Sequence, residues 1–247
     1  MMDLRSVSEQ SQMCLKGTHQ ADEFDPRFKI FHELMPKKIG EILLVSTLYD
    51  ACIMEEDGRL AERLIHEYQG LSLSEPPRLT WVSSAEEAFR YLDRKWFDLV
   101  ITMRRLADMD VYAFGEQLKK QYPQLPVILL THTAPDPRCT PTQPSPPGID
   151  RTFVWSGNTE LILALVKSVE DQLNVDDDIE TAQVRVILFI EDSPIYLSTL
   201  LPVLYREVMQ QTQAVMEQGL NEEHKLLTMR ARPKILAAES FEEATRL

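Results

Sequence analysis

The segment Val186-Ile187-Leu188-Phe189-Ile190-Glu191-Asp192-Ser193-Pro194 constrains the chain most. Five consecutive apolar residues predict a strand buried on both faces, as in parallel sheets. The run stops at two adjacent carboxylates. Ser193 then offers a helix N-cap, and Pro194 stands where the first helical turn tolerates proline. The acid pair therefore lies at the C-terminal end of a parallel strand, where open α/β sheets place their ligands. Two carboxylates there suit a hard divalent cation such as Mg2+. A solvated acidic loop is the other reading of the same residues.

Composition narrows the function classes. The net charge of −13 speaks against a nucleic-acid surface, which needs a basic stripe. No apolar run is long enough for a membrane span. The N-terminus shows no basic segment leading into an apolar core, so no membrane partner or export is expected. Cys14, Cys52 and Cys139 are scattered, with neither zinc nor disulfide spacing, and fit a reducing cytoplasm.

Upstream, strand and helix patterns alternate. Residues 1–38 read as a polar arm followed by a short amphipathic helix carrying Phe24, Phe28, Ile30, Phe31, Leu34 and Met35. Within residues 39–175, strands are predicted at 42–45, 79–82, 97–102, 126–131 and 152–155. Helices are predicted at 49–68 (weakened by Gly58), after the cap Ser84, at 111–121 and at 159–173. This alternation predicts a doubly wound parallel sheet covered by helices on both faces. Between the fourth and fifth strands, residues 134–148 hold six prolines and read as a surface loop of polyproline character instead of a helix. Residues 176–184, with Asp176, Asp177, Asp178 and Glu180, read as a solvated acidic linker that lacks the spacing of a calcium loop.

The second unit, 185–247, starts with the opening strand. A long helix from Ile195 follows, with Leu197, Leu200, Leu201, Leu204, Tyr205 and Val208 facing inward and Pro202 predicted to kink or end it. A strand at 234–238 and a helix capped by Ser240 complete it. This unit repeats the first. Ile42-Leu43-Leu44-Val45-Ser46-Thr47 matches Ile187-Leu188-Phe189-Ile190-Glu191-Asp192, and Ser84-Ala85-Glu86-Glu87-Ala88 matches Ser240-Phe241-Glu242-Glu243-Ala244. The second copy has only strand, helix, strand and one helical turn. It is expected to be the start of a domain in a longer polypeptide, with one edge of its first strand exposed. A homodimer is one way to cover that edge.

Both copies resemble receiver domains of two-component response regulators, five-stranded parallel sheets of order 2-1-3-4-5 (flavodoxin-like). The resemblance implies an acid pair after the first strand, a phosphoacceptor aspartate after the third, a hydroxyl after the fourth and a lysine after the fifth. Together with Mg2+ these neutralise a transferred phosphoryl group. In the first unit, Ser46 and Thr47 stand at the acid pair, Met103 at the acceptor, Thr131 at the hydroxyl, and Trp155-Ser156 at the lysine-proline pair. A thioether cannot take a phosphoryl group as a carboxylate does, so this unit reads as a pseudo-receiver. Asp110 matches a structural aspartate, and Asp98 lies at a strand start away from the site. The second unit keeps Glu191 and Asp192 as its Mg2+ corner, without an acceptor in this chain.

The resemblance implies a signalling module. Its first domain would serve as a scaffold, and its second would take phosphate from a histidine kinase or phosphotransfer protein and act on a downstream domain of the same polypeptide. Residues 42–60, 153–158 and 220–233 also resemble the N-terminal region of bacterial proteins that join tandem receiver-like domains to a phosphoenolpyruvate synthase-like module. On that basis the alternative is a phosphorylation-independent regulatory region of such an enzyme. No catalytic machinery is visible in the chain. The five histidines show no ligand spacing, and His132, next to Thr131, reads as a loop residue.

Overall fold

The computed structural model describes residues 30–56, 60–71, 73, 75–132, 147–216 and 222–247. The predicted arm, most of the N-terminal helix and nearly all of the proline-rich loop lie outside these residues. The first unit runs β1 (Glu41–Val45), α1 (Leu48–Glu56), α2 (Leu60–Gly70), β2 (Arg78–Val82), α3 (Ala85–Leu92), β3 (Leu99–Met103), α4 (Val111–Gln121), β4 (Val127–Thr131), β5 (Arg151–Val154) and α5 (Thr159–Ala182). Of the helix expected over 49–68, α1 and α2 are described, and Gly58 lies outside the described residues.

All five strands are parallel, in the order β2-β1-β3-β4-β5. This is the flavodoxin-like doubly wound sheet expected from the alternation. Alternate strand residues feed two cores. Ile42, Leu44, Leu99, Ile101, Ile128 and Leu130 pack with α2 and α5. Leu43, Val45, Val100, Val127 and Leu129 pack with α3 and α4 on the other side. Helix starts follow local chemistry. Asp110 accepts the amides of Tyr112 and Ala113 at the start of α4, and Asn158 accepts that of Glu160 at the start of α5.

The second unit contains β6 (Val186–Ile190), α6 (Pro194–Met216), α7 (Glu222–Arg230), β7 (Lys234–Ala238) and α8 (Phe241–Ala244). β6 and β7 form a separate two-stranded parallel sheet. The repeat seen in the sequence carries into atomic detail. Ser84 Oγ accepts the amide of Glu87, whose carboxylate accepts the amide of Ser83. Ser240 Oγ accepts the amide of Glu243, whose carboxylate accepts the amide of Glu239. The same reciprocal cap opens α3 and α8.

Three expectations need correction. First, the acidic segment 176–184 is not a linker. α5 continues through it to Ala182 and ends where Gln183 turns left-handed at φ 52°. Asp178 is buried and bound, whereas Asp176, Asp177 and Glu180 stay exposed as expected. Asp178 Oδ1 accepts the amide of Met35 at 2.9 Å, its Oδ2 pairs with Lys234 at 2.7 Å, and Asp177 pairs with Lys37 at 3.1 Å.

Second, β6 is not buried on both faces. Ile187 and Phe189 pack inward, whereas Val186, Leu188 and Ile190 are 38%, 46% and 47% exposed. Among the described residues no third strand joins the β6 edge, so the outer face stays open, as an incomplete sheet requires. Third, Pro202 neither ends nor divides α6, which runs through it. Leu197 and Leu201 before it, and Tyr205 and Met209 after it, are all buried in one core, which holds the helix together across the missing amide. Leu200, expected inward, is exposed.

The two sheets meet across α5. Arg232 donates both terminal nitrogens to the Asp171 carboxylate, each at 2.9 Å, with both side chains essentially inaccessible. The same carboxylate accepts the Tyr205 hydroxyl at 2.9 Å and the Ile235 amide at 3.0 Å. Burial and then the Asp171 carboxylate hold the Tyr205 phenol well above its ordinary pKa. Burial disfavours the Arg232 cation, but Asp171 outweighs it and raises that pKa.

Asp171→Ala would strand a buried guanidinium. It is expected to cost about 3–5 kcal/mol, read as a shifted urea midpoint. Tyr205→Phe is expected to cost about 1 kcal/mol at neutral pH. The folded pKa of Tyr205 exceeds the unfolded one, so the phenol's stabilisation is complete below about pH 10 and declines above it. The stability gap between wild type and Tyr205→Phe should therefore narrow in alkaline titrations.

Candidate functional site

The strand register brings the predicted site residues to one edge. Val45 lies beside Thr102, Met103 beside Leu130, and Thr131 beside Val154. Ser46, Met103 and Thr131 therefore end three neighbouring strands at the C-terminal side of the sheet. β1 and β3 flank the point where strand order reverses, the position at which such sheets bind ligands.

The chemistry at this edge is turned inward. Ser46 is fully buried, and its Oγ accepts the indole N–H of Trp81 at 2.8 Å. Thr47 caps α1, accepting the Asp50 amide at 3.2 Å and donating to Asp50 Oδ2 at 2.8 Å. Met103 is buried in the apolar cluster that holds Ile101, Leu130, Phe153 and Trp155. Thr131 is buried and donates to the Phe153 carbonyl at 3.4 Å. Trp155 is buried and extends the ladder through its amide to Thr131 O at 2.7 Å, while Ser156 points into solvent. Two of these hydroxyls are committed to neighbouring side chains and one to a backbone carbonyl, and Met103 offers no acidic oxygen.

The structure adds Asp50 and joins it to His132, which the sequence placed next to Thr131. Asp50 Oδ1 lies 3.0 Å from His132 Nε2, closing the edge between the start of α1 and the end of β4. Asp50 is nearly buried, whereas His132 remains over a third exposed. Nothing local signals this pair, because 82 residues separate them. Asp98 sits at the opposite end of the sheet, as expected, where one carboxylate oxygen accepts the amides of Gly40 and Glu41.

Glu191 and Asp192 follow β6 in the second unit. The Glu191 amide continues the ladder to Ala238 O at 2.9 Å, and its Oε1 accepts the Ser193 amide at 2.9 Å. Asp192 is exposed. The donors are hard oxygens, which fits Mg2+ in kind. They are two in number, and no group of three or more His, Cys, Asp or Glu side chains suited to a metal occurs among the described residues.

No family model matches the chain, and no curated protein matches it. Solved structures similar to it are receiver domains. One, from an HD domain-containing protein of Pseudomonas fluorescens Pf-5, is 26% identical and covers 57% of this chain and 93% of its own, with a TM-score of 0.42. Another, from a signal transduction histidine kinase of Syntrophus aciditrophicus, is 26% identical over 54% of this chain and 92% of its own, with a TM-score of 0.39. A third, from a sensor histidine kinase of Pseudomonas aeruginosa PAO1, was determined with magnesium in its active-site cleft. It is 19% identical over 53% of this chain and 97% of its own, with a TM-score of 0.40.

An acid placed at the end of β3 should not act as a phosphoacceptor. Met103→Asp places a carboxyl in an apolar setting and is expected to lower stability by about 3 kcal/mol. Thermal unfolding measures the loss, and acetyl phosphate treatment should leave the variant unlabelled.

Proposed function

We propose that this chain is a regulatory module of two-component type, in which residues 39–175 form a receiver-like scaffold without phosphoacceptor chemistry. The observation that carries this reading is the edge formed by Ser46, Met103 and Thr131. It has the strand positions of a phosphoryl-transfer site, filled by a buried hydroxyl, a buried thioether and a hydroxyl bound to backbone. Residues 185–247 form the start of a second receiver-like unit. Glu191 and Asp192 are its Mg2+ corner, and bound Mg2+ would supply charge neutralisation for an incoming phosphoryl group. The partners this implies are a histidine kinase or phosphotransfer protein and a downstream domain of the same polypeptide, in the cytoplasm. Among the described residues no helix is long and apolar enough to cross a membrane.

The ion-paired seam between the units favours a second reading. Arg232 and Lys234 already neutralise Asp171 and Asp178 without any phosphate. A regulatory region that works independently of phosphorylation would need only this fixed docking.

Titration with Mg2+ followed by calorimetry tests the metal corner. Two carboxylates give weak binding that Asp192→Ala abolishes, and tight binding that survives this substitution would sink the assignment. Radiolabelled acetyl phosphate should leave no stable acyl phosphate on the chain, and label on the first unit would overturn its scaffold role.

A further inference from the structure

The acid pair of the second unit lies one helical turn from the last strand of the first. β6 ends at Ile190, and only Glu191, Asp192 and Ser193 separate it from α6, which starts at Pro194. Glu191 Oε1 accepts the Ser193 amide at 2.9 Å. Ser193 O accepts the Leu197 amide, and Pro194 O accepts the Ser198 hydroxyl. The oxygen of that hydroxyl accepts the Val154 amide at 2.7 Å. Val154 stands beside Thr131 in the register of the first sheet, and the next amide, that of Trp155, donates to Thr131 O. One carboxylate, one turn of α6 and one hydroxyl thus connect Glu191 to the edge where Ser46, Met103 and Thr131 stand. β5 is the outer strand of its sheet, so its outward amides need partners from outside the ladder. The nearly buried Ser198 is the partner of Val154.

We propose that Ser198 is a positioning residue that carries the state of the Glu191–Asp192 corner to β5 of the first unit. This rests on the reading of those carboxylates as an Mg2+ site. The Glu191 carboxylate has a second use, because it also holds the Ser193 amide. A carboxylate that shares its charge with a cation accepts a hydrogen bond less strongly, whichever oxygen it gives to the cation. The Ser193 amide is then held less firmly, and the first turn of α6 loosens with it. Ser198 follows, because its hydroxyl is bound to Pro194 O within that turn. The Val154 amide is the group in the first unit that feels the change. The displacement stays local. Leu197 and Leu201 are buried in the same core as Tyr205 and Met209, and the Asp171–Arg232 pair fixes the seam further along. The first unit therefore reads the second through a contact at its C-terminal edge, without phosphoryl chemistry of its own.

Amide hydrogen exchange on the full chain, resolved by NMR, tests this with and without Mg2+. Saturating Mg2+ should speed exchange at Val154 by about fivefold, as the weakening of one hydrogen bond does. Glu191→Ala should do the same without any cation, because it removes the acceptor of the Ser193 amide. Ser198→Ala should leave Mg2+ affinity unchanged in calorimetry and abolish the Mg2+ effect on Val154 and Trp155. Ser198→Thr, which keeps the hydroxyl, should retain that effect. Mg2+ binding with no change at Val154 would overturn the relay and leave the metal site standing. So would an Mg2+ effect that persists in Ser198→Ala. Absence of Mg2+ binding would sink the metal reading instead, and a metal-free Glu191→Ala chain with unchanged Val154 exchange would sink the relay independently.

Discussion

Asp171 holds the molecule together as one body. It sits on α5, whose apolar side closes the core of the first sheet, and it reaches the second unit with both oxygens. Its four hydrogen bonds, from two nitrogens of Arg232, the Tyr205 hydroxyl and the Ile235 amide, satisfy a carboxylate that would otherwise be costly to bury. A buried ion pair adds little net stability compared with apolar packing. Its effect here is to set position: β7 can sit against α5 only where Arg232 and the Ile235 amide both reach the same carboxylate. Further along the helix, Asp178 repeats the device with Lys234 and the Met35 amide. Glu170 and Asn174 bind the backbone of Ile39 and Lys37 between them.

The same docking explains the edge of the first sheet. β5 is its last strand, and an unpaired edge strand is a liability. The Val154 amide donates to Ser198 on α6 at 2.7 Å, and Arg151 reaches Ala237 and Glu243 of the second unit. This side of the domain is thus occupied within the chain, while the hydroxyls at the C-terminal edge are bound inward through Trp81, Asp50 and Phe153.

How legible this was depended on the range of each interaction. The strands, the caps at Ser84 and Ser240, and the doubly wound arrangement follow from local pattern and the handedness of crossovers, while the order of the sheet was what the resemblance to receivers implied. The positions of Ser46, Met103 and Thr131 at one edge followed from the register of a parallel sheet. The Asp50–His132 pair did not, because nothing local links a first-turn aspartate to a residue after β4. Asp178 read as solvated because its partners, Lys234 and the Met35 amide, are remote in sequence.

The chain by itself determined the doubly wound sheet, the repeat of its opening elements and which residues, Ser46, Met103 and Thr131, stand at the strand ends. These depend on periodicity, capping and residue identity, which are local. The tertiary structure alone decided that α5 runs on as the shared wall of both units, that Pro202 is absorbed within a helix, and that the apolar strand β6 is half open. Each of these depends on which surfaces are covered. A run of five apolar residues is the same whether one face or two are buried, and the carboxylate that is solvated in one packing is the hub in another.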